Sequence, residues 1–303
     1  MSRTFALRGP GGEPVDLTRT LVSHGVASLP PLSVDEEEPS LIATITIGRS
    51  ARTVRVSPSG KRRAAIDVLG REEDPSPDAI LEVKRMMRME EDLSAFYEMA
   101  AADPDLSWVA RGAGRMMRSQ TVFEEVVKTV CTTNCAWSAT ERMVGALVEN
   151  LGRKAPGAPA RGAGGRTFPT PSAMAEADES FYRDVVRAGY RGAYLRSLAT
   201  SVAAGDLDLQ ELENDHPSHL SDDEVEQRLL SLPGVGPYAA AHVMMMLGRY
   251  SRLILDSWTR PKFATMVGRK SVADRTIQRR FQKYGSYAGL AFWMFITRDW
   301  VQD

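Results

Sequence analysis

The segment Leu229-Leu230-Ser231-Leu232-Pro233-Gly234-Val235-Gly236-Pro237-Tyr238-Ala239-Ala240-Ala241-His242-Val243 constrains the chain more than any other. A helical run with apolar spacing ends before Pro233-Gly234-Val235-Gly236, and a second helix starts directly after it. Two glycines flanking one β-branched residue permit a turn with positive φ and no side chain in the way. Such a turn aims backbone N–H groups and the positive end of the second helix at one point. That arrangement suits a phosphate oxygen and is blind to base sequence. Two helices merely turning a corner fit the same residues.

Twenty residues beyond Gly236, the apolar run Leu253-Ile254-Leu255 delivers Asp256, followed by Ser257-Trp258-Thr259-Arg260. A carboxylate placed where a helix begins is held ionised by the helix dipole. It can serve as an N-cap worth about 1 kcal/mol or as a functional anion, and the two roles are compatible.

Ahead of these helices the chain reads as β structure. Leu41–Ile47 is a β-branched run, Ala51–Val56 alternates polar and apolar residues, and Arg63–Leu69 follows Pro58-Ser59-Gly60. Three short strands with tight turns predict an antiparallel sheet, and Arg71–Asp78 reads as a connection. Helical periodicity starts near Ala79, with apolar stripes at Ile80, Val83, Met86, Met87, Met89 and at Leu93, Phe96, Tyr97, Met99. Further helices are expected at Phe123–Val130, Arg142–Leu151, Phe181–Ala188, Arg191–Ala203, Asp222–Leu230, Ala239–Leu247, Ser257–Thr265 and Tyr287–Trp300. The expected class is α+β. An N-terminal antiparallel β domain over residues 1–78 precedes an all-helical domain over 79–303, with the two-helix motif at about 225–243.

The net charge of −1 argues mildly against a nucleic-acid partner, but its distribution does not. From Asp256 onward nine lysines and arginines face four acids, Asp256, Asp274, Asp299 and Asp303. That basic stretch is either a solvated face or an electrostatic footprint. No apolar run is long enough to span a membrane, and Met1–Arg8 breaks into Gly and Pro before a signal-type run develops. A cytoplasmic protein, nucleoid-associated if bacterial, is expected. The only two cysteines, Cys131 and Cys135, read as small thiols beside a core, and their count excludes a four-cysteine iron–sulfur cluster. The 14 methionines, with Met244-Met245-Met246 among them, read as core filling over a permissive pocket lining.

A hairpin, an Ala-rich helix, an apolar segment and then an Asp together resemble the helix-hairpin-helix (HhH-GPD) DNA glycosylase superfamily. The 3-methyladenine DNA glycosylase II and 8-oxoguanine glycosylase branches show the most likeness. Phe123–Gly152 with Cys131-Thr132-Thr133-Asn134 looks like the opening helical segment of those enzymes, and Gly189-Tyr190-Arg191 like the segment preceding their hairpin. Tyr287–Trp293 looks like the closing helix of the bacterial alkylbase branch. The resemblance implies a TBP-like antiparallel domain before the helices, and a backbone grip by Leu232, Gly234, Val235, Gly236 and Tyr238. It makes Asp256 the catalytic carboxylate, stabilising positive charge at C1′ as the base–sugar bond breaks or activating water.

In bifunctional members of the superfamily the residue two beyond the last hairpin glycine is a lysine that forms a Schiff base. Here it is Tyr238, so the resemblance implies a monofunctional enzyme without strand cleavage. The missing cysteine cluster sets aside the endonuclease III-like and adenine-mismatch branches, and the missing lysine disfavours standard 8-oxoguanine enzymes. That leaves excision of an alkylated purine. The alternatives kept open are excision of 8-oxoguanine or a mismatched pyrimidine, and a catalytically silent DNA-binding module.

A base must be flipped out of its stack to be cut. The expected pocket or DNA contacts are Asn134, Trp137, Tyr190 and Trp258, with Tyr238 and Trp293 as further aromatic candidates. Asn134 matches an Asn of the 8-oxoguanine branch that contacts DNA at the extrusion site, although a helix cap fits it too. The Arg that branch uses five residues later is Ala139 here. His242 reads as structural. The expected partner is damaged double-stranded DNA bound by a monomer without catalytic metal. A monovalent cation in the hairpin turn is the one ion the resemblance implies.

Overall fold

The computed structural model describes residues 2–71, 73–214 and 216–301. Met1, Glu72 of the acidic connection, and Asp303 lie outside them.

Strands β1 (Arg3–Ala6), β2 (Leu32–Asp35), β3 (Ser40–Ile47), β4 (Ser50–Pro58) and β5 (Arg63–Leu69) form one antiparallel sheet in the order β1-β5-β4-β3-β2. The hairpin between β3 and β4 closes through a two-residue turn, Ile47 pairing with Ser50, and Gly48 supplies the positive φ of 57° that it needs. Pairing of Leu41 with Val56 and of Ala43 with Val54 gathers the apolar alternate residues on one face. The three central strands follow the expected alternation; edge strands β1 and β2 add one flank each.

Twelve α-helices occur among the described residues: α1 (Leu17–Leu21), α2 (Pro77–Met86), α3 (Ser94–Ala101), α4 (Val122–Thr132), α5 (Trp137–Leu151), α6 (Pro171–Glu176), α7 (Arg191–Ala204), α8 (Asp222–Leu230), α9 (Pro237–Met246), α10 (Thr259–Met266), α11 (Asp274–Phe281) and α12 (Ala288–Ile296). Helix α2 starts where Pro77 follows Ser76, whose hydroxyl accepts from Ala79 N at 3.2 Å. Its Val83 and Met86 pack on the sheet in one cluster with Leu17, Leu41, Val54 and Ile66. Burying these side chains contributes roughly 1.5–3 kcal/mol each.

The remaining helices enclose two further cores. One gathers α4, α5, α7, α8 and one side of α9; the other gathers α3, α10, α11, α12 and the opposite side of α9. Helix α9 is therefore apolar all round, as expected of a central helix. Met244 enters the first core, Met245 and Met246 the second, which settles the methionine triplet as core filling. No helix among the described residues is long and apolar enough to cross a membrane.

The connection from β1 to β2 reaches into the helical part. Val26 and Leu29 join the α9 core, whereas Ala27 joins the sheet core. Trp293 Nε1–H donates to Ser23 O at 2.8 Å. Arg115, fully buried, pairs with Glu13 at 2.5 Å.

Several elements differ from expectation. Helix α5 begins at Trp137 rather than Arg142, because its first turn is mostly exposed and carries no apolar stripe. Phe181–Val185 is a π-helical turn, and the expected last helix shortens to α12. Helix α11 escapes periodicity because only Ile277 and Phe281 are apolar in it.

Candidate active site

Helix α8 opens with a reciprocal cap between Ser221 and Glu224 and ends at Leu230. The chain then turns through residues 231–236. Gly234 has φ of 82°, and a Cβ there would lie 2.8 Å from Tyr194 Cδ2. Gly236, unlike Gly234, does not use the positive φ that glycine permits. It is extended, φ −101° and ψ −177°, and a Cβ on it would meet nothing within 4 Å. Packing within the chain does not require that glycine; its effect is to leave the head of α9 bare.

The Leu232 and Val235 side chains, whose residues belong to the expected backbone grip, are buried in the core. Only their peptide groups face the turn, where Leu232 O accepts from Val235 N at 3.2 Å. The N–H groups of Gly234, Gly236, Tyr238 and Ala239 find no acceptor among the described residues. Tyr238 offers its N–H at the turn, while its side chain points away from it. Its ring lies inward between the two cores, its hydroxyl is 3.3 Å from Thr132 Oγ1, and burial pushes the phenol above its ordinary pKa.

Inward of the hairpin is a cavity of about 1150 Å³, and Tyr238 and Asp256 both line it. Asp256 Oδ1 accepts from Trp258 N at 2.8 Å and Thr259 N at 2.6 Å, while Asp256 N–H donates to Thr259 Oγ1 at 2.8 Å. One carboxylate oxygen thus caps the first turn of α10. The other has no hydrogen bond among the described residues and is free to meet a bound molecule.

Aromatic rings form the walls. Trp258, Trp293 and Trp300 stand in mutual contact, with ring centroids 5.8 to 6.0 Å apart. Trp137, at the head of α5, stands against Gly25, where a Cβ would lie 3.3 Å from its ring. Asn134 lines the same cavity in a left-handed conformation, φ 47°. It caps neither neighbouring helix, since Thr133 and Ala136 hold those positions. Tyr190 is not in this cavity. It faces a neighbouring groove with Arg183 and Arg196, its hydroxyl 3.5 Å from Asn134 Nδ2 and the Arg191 guanidinium 4.6 Å from its ring centre.

The cavity also contains residues that sequence reasoning passed over. His24 comes from the β1–β2 connection, and no local pattern marks it. His242, read as structural, lies one helical turn after Tyr238 on the same face of α9, a spacing that could have flagged it. His24 Nε2–H donates to Met117 O at 2.7 Å, and His242 Nδ1 is 3.2 Å from Thr129 Oγ1. Burial pulls both imidazoles down to about 4. Cys135 lines the cavity as well, whereas Cys131 is buried and its thiol is pushed up to about 12 by burial. Arg260, also lining it, has its charge met by a two-pronged pair with Asp274 at 2.7 and 2.9 Å. Among the described residues no lysine lines the cavity, and no three His, Cys, Asp or Glu gather as a metal-binding group.

No protein-family model and no curated protein matches the sequence. Solved structures do. A structure of MBOgg1 in complex with a low-affinity DNA ligand has a TM-score of 0.76 at 20% identity, covering 99% of this chain and 96% of that one. The 3-methyladenine DNA glycosylase from Archaeoglobus fulgidus has a TM-score of 0.73 at 18% identity, covering 99% of this chain and 100% of that one. The Clostridium acetobutylicum 8-oxoguanine glycosylase/lyase, without ligand, has a TM-score of 0.73 at 20% identity, covering 94% and 93%. The sheet followed by the helical body is thus a fold shared with these solved structures over almost the full chain.

Proposed function

We propose that the protein is a DNA glycosylase that hydrolyses the N-glycosidic bond of a flipped, alkylated purine and leaves the strand intact. One observation carries the reading: Tyr238, at the end of the hairpin, and Asp256 line the same cavity. A duplex held at the hairpin by bare N–H groups would have its extruded nucleotide delivered beside that carboxylate.

As the bond breaks, positive charge grows at C1′. The free oxygen of Asp256 stabilises it at close range in a half-buried site and orients or deprotonates the attacking water. Oδ1, held by two backbone N–H groups, fixes the carboxylate for this task. The π faces of Trp137, Trp258 and Trp300 attract a base that carries positive charge, as N-alkylated purines do. Both imidazoles are neutral at neutral pH, and Arg260 is matched by Asp274, so neither repels such a base. An alkylated purinium also leaves without being protonated, which suits a cavity whose histidines are uncharged.

Tyr238 supports hydrolysis over imine chemistry, since a phenol cannot form a Schiff base. The Clostridium protein, described as a glycosylase/lyase, keeps the 8-oxoguanine reading as the second one. For the hairpin cation that the resemblance implies, the residues fit: the Pro233, Gly234 and Val235 carbonyls accept no hydrogen bond among the described residues. Carbonyl oxygens of this kind hold monovalent ions; such an ion would add positive charge at the grip.

The test is to incubate the protein and its Asp256→Asn variant with duplexes carrying single lesions and to quantify released base. Release of alkylated purines by the parent alone is expected. Binding without any release would make the protein a binding module, and release of 8-oxoguanine alone would select the second reading. Borohydride trapping of a covalent complex would overturn the monofunctional assignment.

A further inference from the structure

The hairpin offers amides but no charge: residues 229–248 contain no lysine or arginine. The chain as a whole carries −1. Attraction of a polyanion from a distance must therefore come from cations elsewhere.

The nine basic residues that follow Asp256 fall into two sets. Five have acidic partners: Arg260 pairs with Asp274, Lys262 with Asp299, Arg280 and Arg298 with Asp105, and Lys283 with Asp103. Arg280 and Arg298 also lie over the Phe295 ring. The other four, Arg269, Lys270, Arg275 and Arg279, are exposed and have no carboxylate partner among the described residues. They fall within eleven consecutive positions, on the loop after α10 and along α11. Helix α11 turns Ile277 and Phe281 inward. Arg275 and Arg279, one turn apart, project from the far side. The same helix is fastened to the cavity: Asp274 at its start holds Arg260, which lines the cavity beside Asp256.

We propose that Arg269, Lys270, Arg275 and Arg279 form a second grip on the phosphate backbone of duplex DNA, separate from the hairpin and carried by the segment that Asp274 ties to the cavity-lining Arg260. The proposal rests on the glycosylase reading above. Four unneutralised cations on one exposed stretch match a run of phosphates in charge. Their long side chains supply the steering that the hairpin lacks, and they contact phosphate without selecting sequence.

Binding of an undamaged, fluorescein-labelled duplex to the full chain, measured across a salt series, tests it. Arg275→Gln with Arg279→Gln should reduce the slope of log affinity against log salt by about two, close to one for each phosphate no longer neutralised. Adding Arg269→Gln and Lys270→Gln should reduce it further. Binding should weaken by a similar factor for all duplex sequences. A control exchanging the paired cations, Lys283→Gln with Arg298→Gln, should leave the slope unchanged. An unchanged slope in the four-residue variant, with the parent binding DNA normally, overturns the second grip and leaves the glycosylase reading intact. A weakening confined to duplex RNA or to anionic vesicles overturns the second grip as well. Failure of the parent to bind any duplex overturns both.

Discussion

His24 and His242 meet edge to face on the cavity lining, their ring centroids 5.8 Å apart. One comes from the connection inside the sheet domain, the other from the helix that follows the hairpin. Their contact joins the two parts of the fold at the candidate active site.

That contact predicts acid sensitivity. Burial is the largest cause of both lowered pKa values; the Lys128 and Arg88 charges also lower His24, and His24 lowers His242. The unfolded imidazoles titrate near 6.5 and the folded ones at about 4. Between these values the unfolded chain binds more protons, so stability is lost as pH falls from about 6.5 towards 4 and flattens below. At about 1.4 kcal/mol per unit, the pair accounts for a loss on the order of several kcal/mol. Urea midpoints measured across that window should fall steeply in the parent and less steeply in the His24→Gln, His242→Gln double variant. Parallel profiles would assign the effect to carboxylates instead.

Asp256 caps a helix and faces the cavity, and the two roles separate by substitution. Asparagine keeps an Oδ1 that can accept from Trp258 N and Thr259 N, so Asp256→Asn should unfold within about 1 kcal/mol of the parent. It removes the anion, and base release should slow on the order of 100-fold or more. Asp256→Ala should lose activity to a similar degree and also about 1 kcal/mol of stability. A parent-like rate in Asp256→Asn would remove the carboxylate from the chemistry.

The two hairpin glycines predict different outcomes. Gly234→Ala forces a side chain into left-handed backbone and against Tyr194, at a cost of about 1–3 kcal/mol in thermal or urea unfolding. Gly236→Ala meets open space at ordinary φ, so stability should change by less than about 1 kcal/mol. Under the proposed phosphate grip its methyl group obstructs the bare head of α9, and duplex affinity should drop for all sequences alike. Unchanged DNA affinity in Gly236→Ala would place the phosphate contact elsewhere.

The parts legible in the sequence are those whose signal is local. Strands β3 to β5 announce themselves by alternation and by turns at Gly48 and Gly60, and the hairpin by Pro and Gly between apolar helices. Edge strands β1 and β2, four residues each, are too short for a period to show. The cavity is harder because its lining is assembled from distant segments. Asp256 and Trp258 stand beside a motif and are found, but His24 lies more than two hundred positions earlier and is brought in by the burial of Val26 and Leu29. Side-chain direction is the other gap. Leu232, Val235 and Tyr238 sit in the hairpin sequence, yet only packing shows that their side chains face inward.

The tryptophan wall gives the last prediction, because its members differ in what holds them. Trp293 is buried and its indole N–H serves Ser23 O, so Trp293→Phe leaves that carbonyl unpaired and should lower stability by about 1–3 kcal/mol. Trp258 is 42% exposed and makes no hydrogen bond through its ring among the described residues. Trp258→Ala should therefore lose little stability, less than Trp293→Phe. If its ring stacks on the flipped base, the loss is roughly 1–3 kcal/mol of binding, seen as a weaker apparent affinity for lesion DNA and a slower single-turnover release. Undamaged duplex, whose base stays stacked, should bind the variant as it binds the parent. An equal loss on damaged and undamaged DNA would mean that Trp258 touches the duplex rather than the extruded base.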